Sequence, residues 1–326
     1  MATYLVTQAT GQQSQWIIKY LLEAGVNIHV VVRDLEKIPP ILTNPNITLF
    51  QGESKNFEDI FQAAQGCKAA FLNTISFPGL EVLQAKTIVE ACEKAGVETL
   101  VASTAICTDK KSIWDDDETK AIPPLYRYYV SKFEVENIVR AGKFQAYTIL
   151  RPSVIHHDFY APGVYGNFPR LPTDGEIDDL LTGDAKLPYT DSNDVGKYAA
   201  AALQDPTKFG GQEINLANEL LDFEQVRNIL VRVSGREVGV VKRTPEDVEK
   251  LGINVFGQNF QLFANMKDLD WIETSAKEVQ EKFNIPFTPL QEALQRDKSR
   301  LLDCLPAKQA GEFRHKSFVA ETLSLG

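Results

Sequence analysis

From Tyr4 to Leu150, short apolar runs alternate with segments whose apolar residues recur at helical spacing, and that alternation leaves few ways to fold. Tyr4 to Thr7 reads as a buried strand and Gln8-Ala9-Thr10-Gly11 as a turn. Trp16, Ile17, Tyr20, Leu21 and Ala24 then form one helix face that stops at Gly25. Asn27 to Val32, Ile47 to Phe50 and Ala69 to Leu72 are further strands, with a helix around Asp59 to Ala64. A helix from Leu80 to Ala95, a strand from Thr99 to Ala102, a helix from Lys132 to Ala141 and a strand from Ala146 to Leu150 continue the series. Six β units separated by helices predict an α/β fold, a doubly wound parallel sheet with right-handed crossovers.

Past Arg151-Pro152 the pattern loosens, and the Gly and Pro residues between Pro162 and Pro188 predict loops or short helices over the carboxyl edge of the sheet. A helix from Asp194 to Leu203 and a strand from Glu213 to Ala217 follow. Asp222 and Gln225 then read as a helix cap with its reciprocal partner, and Pro245 as the first residue of another helix. The expected division is a dinucleotide-binding domain, 1–155 plus 190–219, and a smaller substrate lobe, 156–189 plus 220–326. The last twenty or so residues, weakly periodic, are expected to form a tail or packing arm.

Charge narrows the partners. With 34 Lys and Arg against 44 Asp and Glu, the net charge of -10 repels nucleic acid and anionic membrane, so a phosphate ligand must be held locally. Cys67, Cys92, Cys107 and Cys304 are scattered, without metal-like spacing to any histidine, and are expected to be free thiols. No basic, then apolar, leader opens the chain, so the expected location is cytoplasmic. The oligomeric state is left open.

The first strand-turn-helix unit is where a dinucleotide pyrophosphate would lie, against Thr10, Gly11, Gln12 and Gln13 at the positive end of a helix. A Gly-x-x-Gly-x-x-Gly turn would put glycines at positions 8, 11 and 14, whereas the chain has Gln8, Gly11 and Ser14. Gly11 still admits close backbone approach, and Ser14 is small enough for helix-strand packing. Arg33 lies 25 residues after Gln8, at the end of the second strand, with Lys37 nearby; arginine there suits a 2′-phosphate and points to NADP(H). Asp34 beside it must face away.

The stretches VTQATGQQ, VVVRD, EACEKAGVETLVAST, YYVSKFEVE from Tyr128, YTILRP from Tyr147 and YTDSNDVGK from Tyr189 together resemble the NmrA-like branch of the atypical short-chain dehydrogenases/reductases. The resemblance implies an NADP(H)-binding Rossmann domain and a substrate lobe, used by some members for reduction and by others for redox sensing. It places Tyr128 and Lys132, four residues apart on one helix face, as proton donor and ribose-binding lysine, the ammonium lowering the phenol pKa. Ser103 or Thr104 would supply a hydroxyl at the end of the fifth strand. Asn73 and Thr74 would lie along the cofactor ribose, and Pro152, Ser153 and Val154 beside the nicotinamide. His156, His157, Tyr160, Tyr165 and Phe168 are candidates to bind a hydrophobic small-molecule substrate, though they equally read as solvated loop or lobe core. Two readings follow. One is an NADP(H)-dependent reductase of a C=O, C=C or C=N bond in a bulky secondary metabolite, with room for coupled cyclisation. The other is an NADP-sensing regulator without turnover.

Overall fold

The computed structural model describes residues 2–307, and the expected C-terminal tail lies outside them. Seven parallel strands form the central sheet: β1 (Thr3–Val6), β2 (Asn27–Val32), β3 (Ile47–Gln51), β4 (Ala69–Leu72), β5 (Thr99–Ser103), β6 (Ala146–Pro152) and, after the first strands of the lobe, Gln212–Leu216. Their order is Gln212–Leu216, β6, β5, β4, β1, β2, β3, so the chain reverses direction between β1 and β4. That reversal opens a crevice at the carboxyl edge. The sheet is therefore one strand wider than the six β units of the N-terminal series, and the added edge is the strand expected near Glu213.

Side chains alternate across it, as a two-residue period requires. Tyr4 and Val6 pack on one face with Val30 and Val101, and Leu5 packs on the other with Val31, Leu100 and Ala102. The first face is covered by α1 (Gln12–Glu23) and the helix Ser192–Gln204; the second by α2 (Phe57–Ala64), α3 (Leu80–Ala95) and α4 (Pro123–Ala141). Helices α1 and Ser192–Gln204 touch at Gly196, where a Cβ would come within 2.6 Å of the Trp16 Cβ. α4 begins nine residues earlier than the periodicity predicts, because Pro123 and Pro124 open it at positions where a missing N–H costs nothing.

A third core gathers the C-terminal elements around Trp114, Tyr129, Phe159, Phe168, Leu187 and Phe223. Small sheets frame it: Val154–Ile155, Leu187–Thr190 and Glu219–Leu221 form one, and Glu176–Asp179 pairs with Gly239–Lys242. The segment expected to be loops or short helices thus also holds strands. Glu176–Asp179 hides its character because its buried Asp178 and Asp179 are neutralised from afar, by Arg170, Arg243 and Lys242. Asp222 and Gln225 form the expected reciprocal cap, and Thr244 with Asp247 forms a second one ahead of Pro245. The four cysteines are buried and free. Among the described residues no helix is long and apolar enough to cross a membrane.

Candidate functional site

The turn after β1 fits its sequence in an unexpected way. Gln8 takes the left-handed conformation, φ 51°, that glycine would adopt without strain, and its carbonyl accepts a 2.8 Å hydrogen bond from the Gly11 N–H. A Cβ on Gly11 would press to 3.1 Å from that same oxygen. Ser14 is fully buried and its hydroxyl donates to the Thr7 carbonyl at 2.9 Å, which ties helix to strand where the third glycine would stand. No side chain caps α1, so the first-turn N–H groups at Gln12 and Gln13 face the crevice with the positive end of the helix.

Beside this turn is a polar groove of about 130 Å³ lined by Gln8, Thr10, Arg33, Glu53, Ser54 and Lys55, among others. Arg33 sits here, exposed at the end of β2. Lys37 does not line the groove: it points to Asp34, 3.1 Å away, whose carboxylate also caps the following turn by accepting from the Glu36 N–H. The second cation is instead Lys55, paired with Glu53 at 2.9 Å. Sequence reasoning missed it, although Gly52-Glu53-Ser54-Lys55 follows β3 as Arg33 follows β2.

Tyr128 and Lys132 do share one face of α4, with the ammonium 5.4 Å from the phenol ring centroid. Their chemistry differs from expectation. Lys132 is buried and its Nζ donates to Glu81 on α3 at 2.5 Å; Glu81 also accepts from Ser131 and from Thr74, each at 2.8 Å. Burial pushes the Glu81 carboxyl up, but Lys132, Ser131 and Thr74 outweigh it and hold it below its ordinary range. Thr74 is thereby committed to Glu81 rather than to a ribose, while Asn73 remains half-buried at the end of β4. The Tyr128 phenol is pushed up, first by burial and then by the carboxylates of Glu81 and Asp158, so the neighbouring lysine does not lower it.

Of the two hydroxyl candidates, Ser103 donates at 2.8 Å to Gln13 in the first turn of α1 and so bridges β5 to the turn after β1. Thr104 is buried in the opposite direction, donating to Glu136 at 2.8 Å, and belongs to the ion network around Arg151. It is not positioned to serve a substrate.

Beyond the end of β6 lies an apolar cavity of about 180 Å³. Pro152, Ser153, Val154, Phe168 and Tyr128 line it with Phe260, Asn167 and Asp158. An outer cavity of about 400 Å³ shares Tyr128, Asp158, Asn167 and Phe260 with it, so those four residues form the wall between the two spaces. Phe256 and Phe260 pack on Tyr128 with ring centroids 5.6 and 5.5 Å away. Asp158 was not foreseen, hidden among the more conspicuous histidines and aromatics of HHDFY.

The other expected substrate residues lie outside both cavities. His156 is buried with Nε2 2.8 Å from Asp297, and its Nδ1 accepts from the Ser192 N–H at 3.2 Å, inside a cluster closed by Arg296 on Asp191. Burial, then His156, pushes His157 down to about 3, so it is neutral and poorly suited to protonate anything. Tyr160 is buried beneath the Arg300 guanidinium, 4.9 Å from its ring, and Tyr165 is 59% exposed on the surface. Arg300 itself donates to Gln12 at 2.6 Å, bringing a distant cation to the start of α1.

A model of the NmrA-like family matches residues 2–294. The chain belongs to the NmrA-like family. This NmrA-like protein is 28% identical over 258 residues to the nitrogen metabolite repression protein nmrA of Emericella nidulans, covering 74% of the chain and 68% of that relative. Against the corresponding Neurospora crassa protein it is 26% identical and spans about half of the relative's length, 54%. The fold is similar to the negative transcriptional regulator NmrA in complex with NADP, at a TM-score of 0.67 and 23% identity, covering 92% of this chain and 96% of that one. It is also similar to an NADPH-dependent quinone oxidoreductase of Escherichia coli complexed with NADPH, at a TM-score of 0.70 and 18% identity, covering 90% and 99%.

Proposed function

We propose that this NmrA-like protein is an NADP(H)-dependent reductase of a C=O, C=C or C=N bond in a bulky hydrophobic small molecule. The observation that carries the reading is the apolar cavity at the carboxyl edge of the sheet, walled by the Tyr128 phenol and reached from the same edge as the Gly11 turn. The residues present fit the cofactor: the uncapped start of α1 suits a pyrophosphate, and Arg33 with Lys55 suits a 2′-phosphate. When bound, the nicotinamide supplies or accepts the hydride.

The protein's own groups do the remainder. The Tyr128 phenol, pushed further above an ordinary value that already lies well over neutral pH, is protonated, so its O–H can donate to the substrate atom that gains negative charge. Lys132, anchored by Glu81, holds a positive charge beside that ring. Ser103 fixes the Gln13 side chain at the phosphate turn, and Ile106, Tyr129 and Val154 with Phe168, Phe260 and Phe263 supply apolar walls.

The reading of a regulator that binds the dinucleotide without turnover draws on the commitment of Lys132 to Glu81 and on the likeness to nitrogen metabolite repression proteins. NADPH consumption with hydrophobic ketones, enones, quinones and imines separates the two. The reductase reading expects turnover with one of these classes, falling about 100-fold or more in Tyr128→Phe. NADPH binding without consumption in any class contradicts it and favours the regulator.

A further inference from the structure

Asp158 is out of place in the wall that it occupies. Of the residues lining the inner cavity it is the one with a formal charge; the others are apolar, aromatic, amide, hydroxyl or thiol groups. Arg127, which lines only the outer cavity, makes no ion pair with it. Among the described residues the one basic side chain within 4 Å is His157, whose Nε2 is 3.9 Å from Asp158 Oδ1. His157 is neutral and cannot balance the charge. With its side chain 23% exposed, Asp158 is a partly desolvated carboxylate without a cation, an arrangement that costs free energy until a ligand completes it.

Resting on the reading of this cavity as the substrate site, we propose that Asp158 selects a substrate bearing a protonated nitrogen beside an apolar ring system. The placement supports that class over a neutral one. Asp158 stands with Tyr128, Asn167 and Phe260 where the two cavities meet, so a cation there has aromatic faces on one side and a carboxylate on the other. Glu81, also lining the outer cavity, is spent on Lys132 and leaves Asp158 as the free anion. Burial holds the Asp158 carboxyl up at about 7, so the arriving cation also recovers ionisation that the empty cavity resists. Asp158 is thus a specificity residue that meets the substrate.

The test compares tryptamine with its uncharged isostere 3-propylindole by calorimetry at about pH 7.5, on the full chain with and without NADPH. Wild type is expected to bind tryptamine about tenfold more tightly than 3-propylindole, with the ratio falling to about one in Asp158→Asn while 3-propylindole affinity is kept. Equal affinities in wild type, no tryptamine binding, or a preference that survives Asp158→Asn overturns the proposal. NADPH consumption with the hydrophobic ketones, enones, quinones and imines, read on the same protein, reports on the reductase reading separately: a protein that turns over NADPH without amine preference loses this inference and keeps the proposed function.

Discussion

Gln8 holds a left-handed backbone angle with a side chain attached, at a cost of roughly 1 kcal/mol. The Gly11 N–H bonds to its carbonyl, and its amide reaches Ser54 at 3.3 Å. Gln8→Gly should therefore stabilise the fold by about 1 kcal/mol in urea unfolding while leaving NADPH affinity within a few-fold, since the phosphate-facing N–H groups belong to α1. Asp158 has the opposite character, a residue strained by charge. Its folded pKa is about 7 against 3.8 unexposed to the fold, so the folded state retains a proton that the unfolded chain has lost. Its stability contribution is therefore present below about pH 4 and is lost as pH rises through 7. Asp158→Asn should gain over wild type as pH rises from about 4 to about 7, toward about 4 kcal/mol at most, as read from denaturation midpoints. Arg33 was legible because its distance from the turn is fixed by one β-α-β unit. Lys55, Glu81 and Asp158 were not, because each acquires its role from elements distant in sequence that only folding brings together.

Elements are joined here by two kinds of contact that carry different penalties. Arg151 on β6 is buried and donates to Glu136 on α4 through two hydrogen bonds of 2.8 and 2.7 Å, and it also pairs with Glu213 on the edge strand. Removing one partner strands a buried charge, so Arg151→Ala or Glu136→Gln should cost about 3–5 kcal/mol and loosen the edge strand first, measurable by hydrogen exchange at Ile214. Gly196 joins Ser192–Gln204 to α1 by close approach, and Gly196→Ala should cost about 1–3 kcal/mol by forcing the two helices apart at Trp16. Strands and helices of the central sheet were legible because apolar periodicity matches their burial. The start of α4 was not, since Pro123, Pro124 and three tyrosines interrupt the periodic signal. Glu176–Asp179 was not, since its polar side chains are balanced by residues on other elements.

For the whole molecule, the doubly wound sheet places the uncapped helix start, Arg33 and the apolar cavity along one carboxyl edge, although the chain carries a net charge of -10. Local cations must then offset a repulsive field, and among the described residues Arg33, Lys55 and Arg300 are brought to the turn and its groove. The Rossmann architecture was readable because alternating β and α segments admit few packings. The substrate lobe was not, because its small sheets and apolar wall draw on segments from residue 105 to beyond residue 260. The central claim is that this edge holds NADP(H), with Arg33 reading the 2′-phosphate. It is tested most directly by calorimetric titration of wild type and Arg33→Ala with NADPH and NADH. Wild type is expected to bind NADPH at least tenfold more tightly than NADH, and Arg33→Ala to remove most of that preference. Absence of binding at millimolar NADPH, or a preference for NADH in wild type, would contradict it.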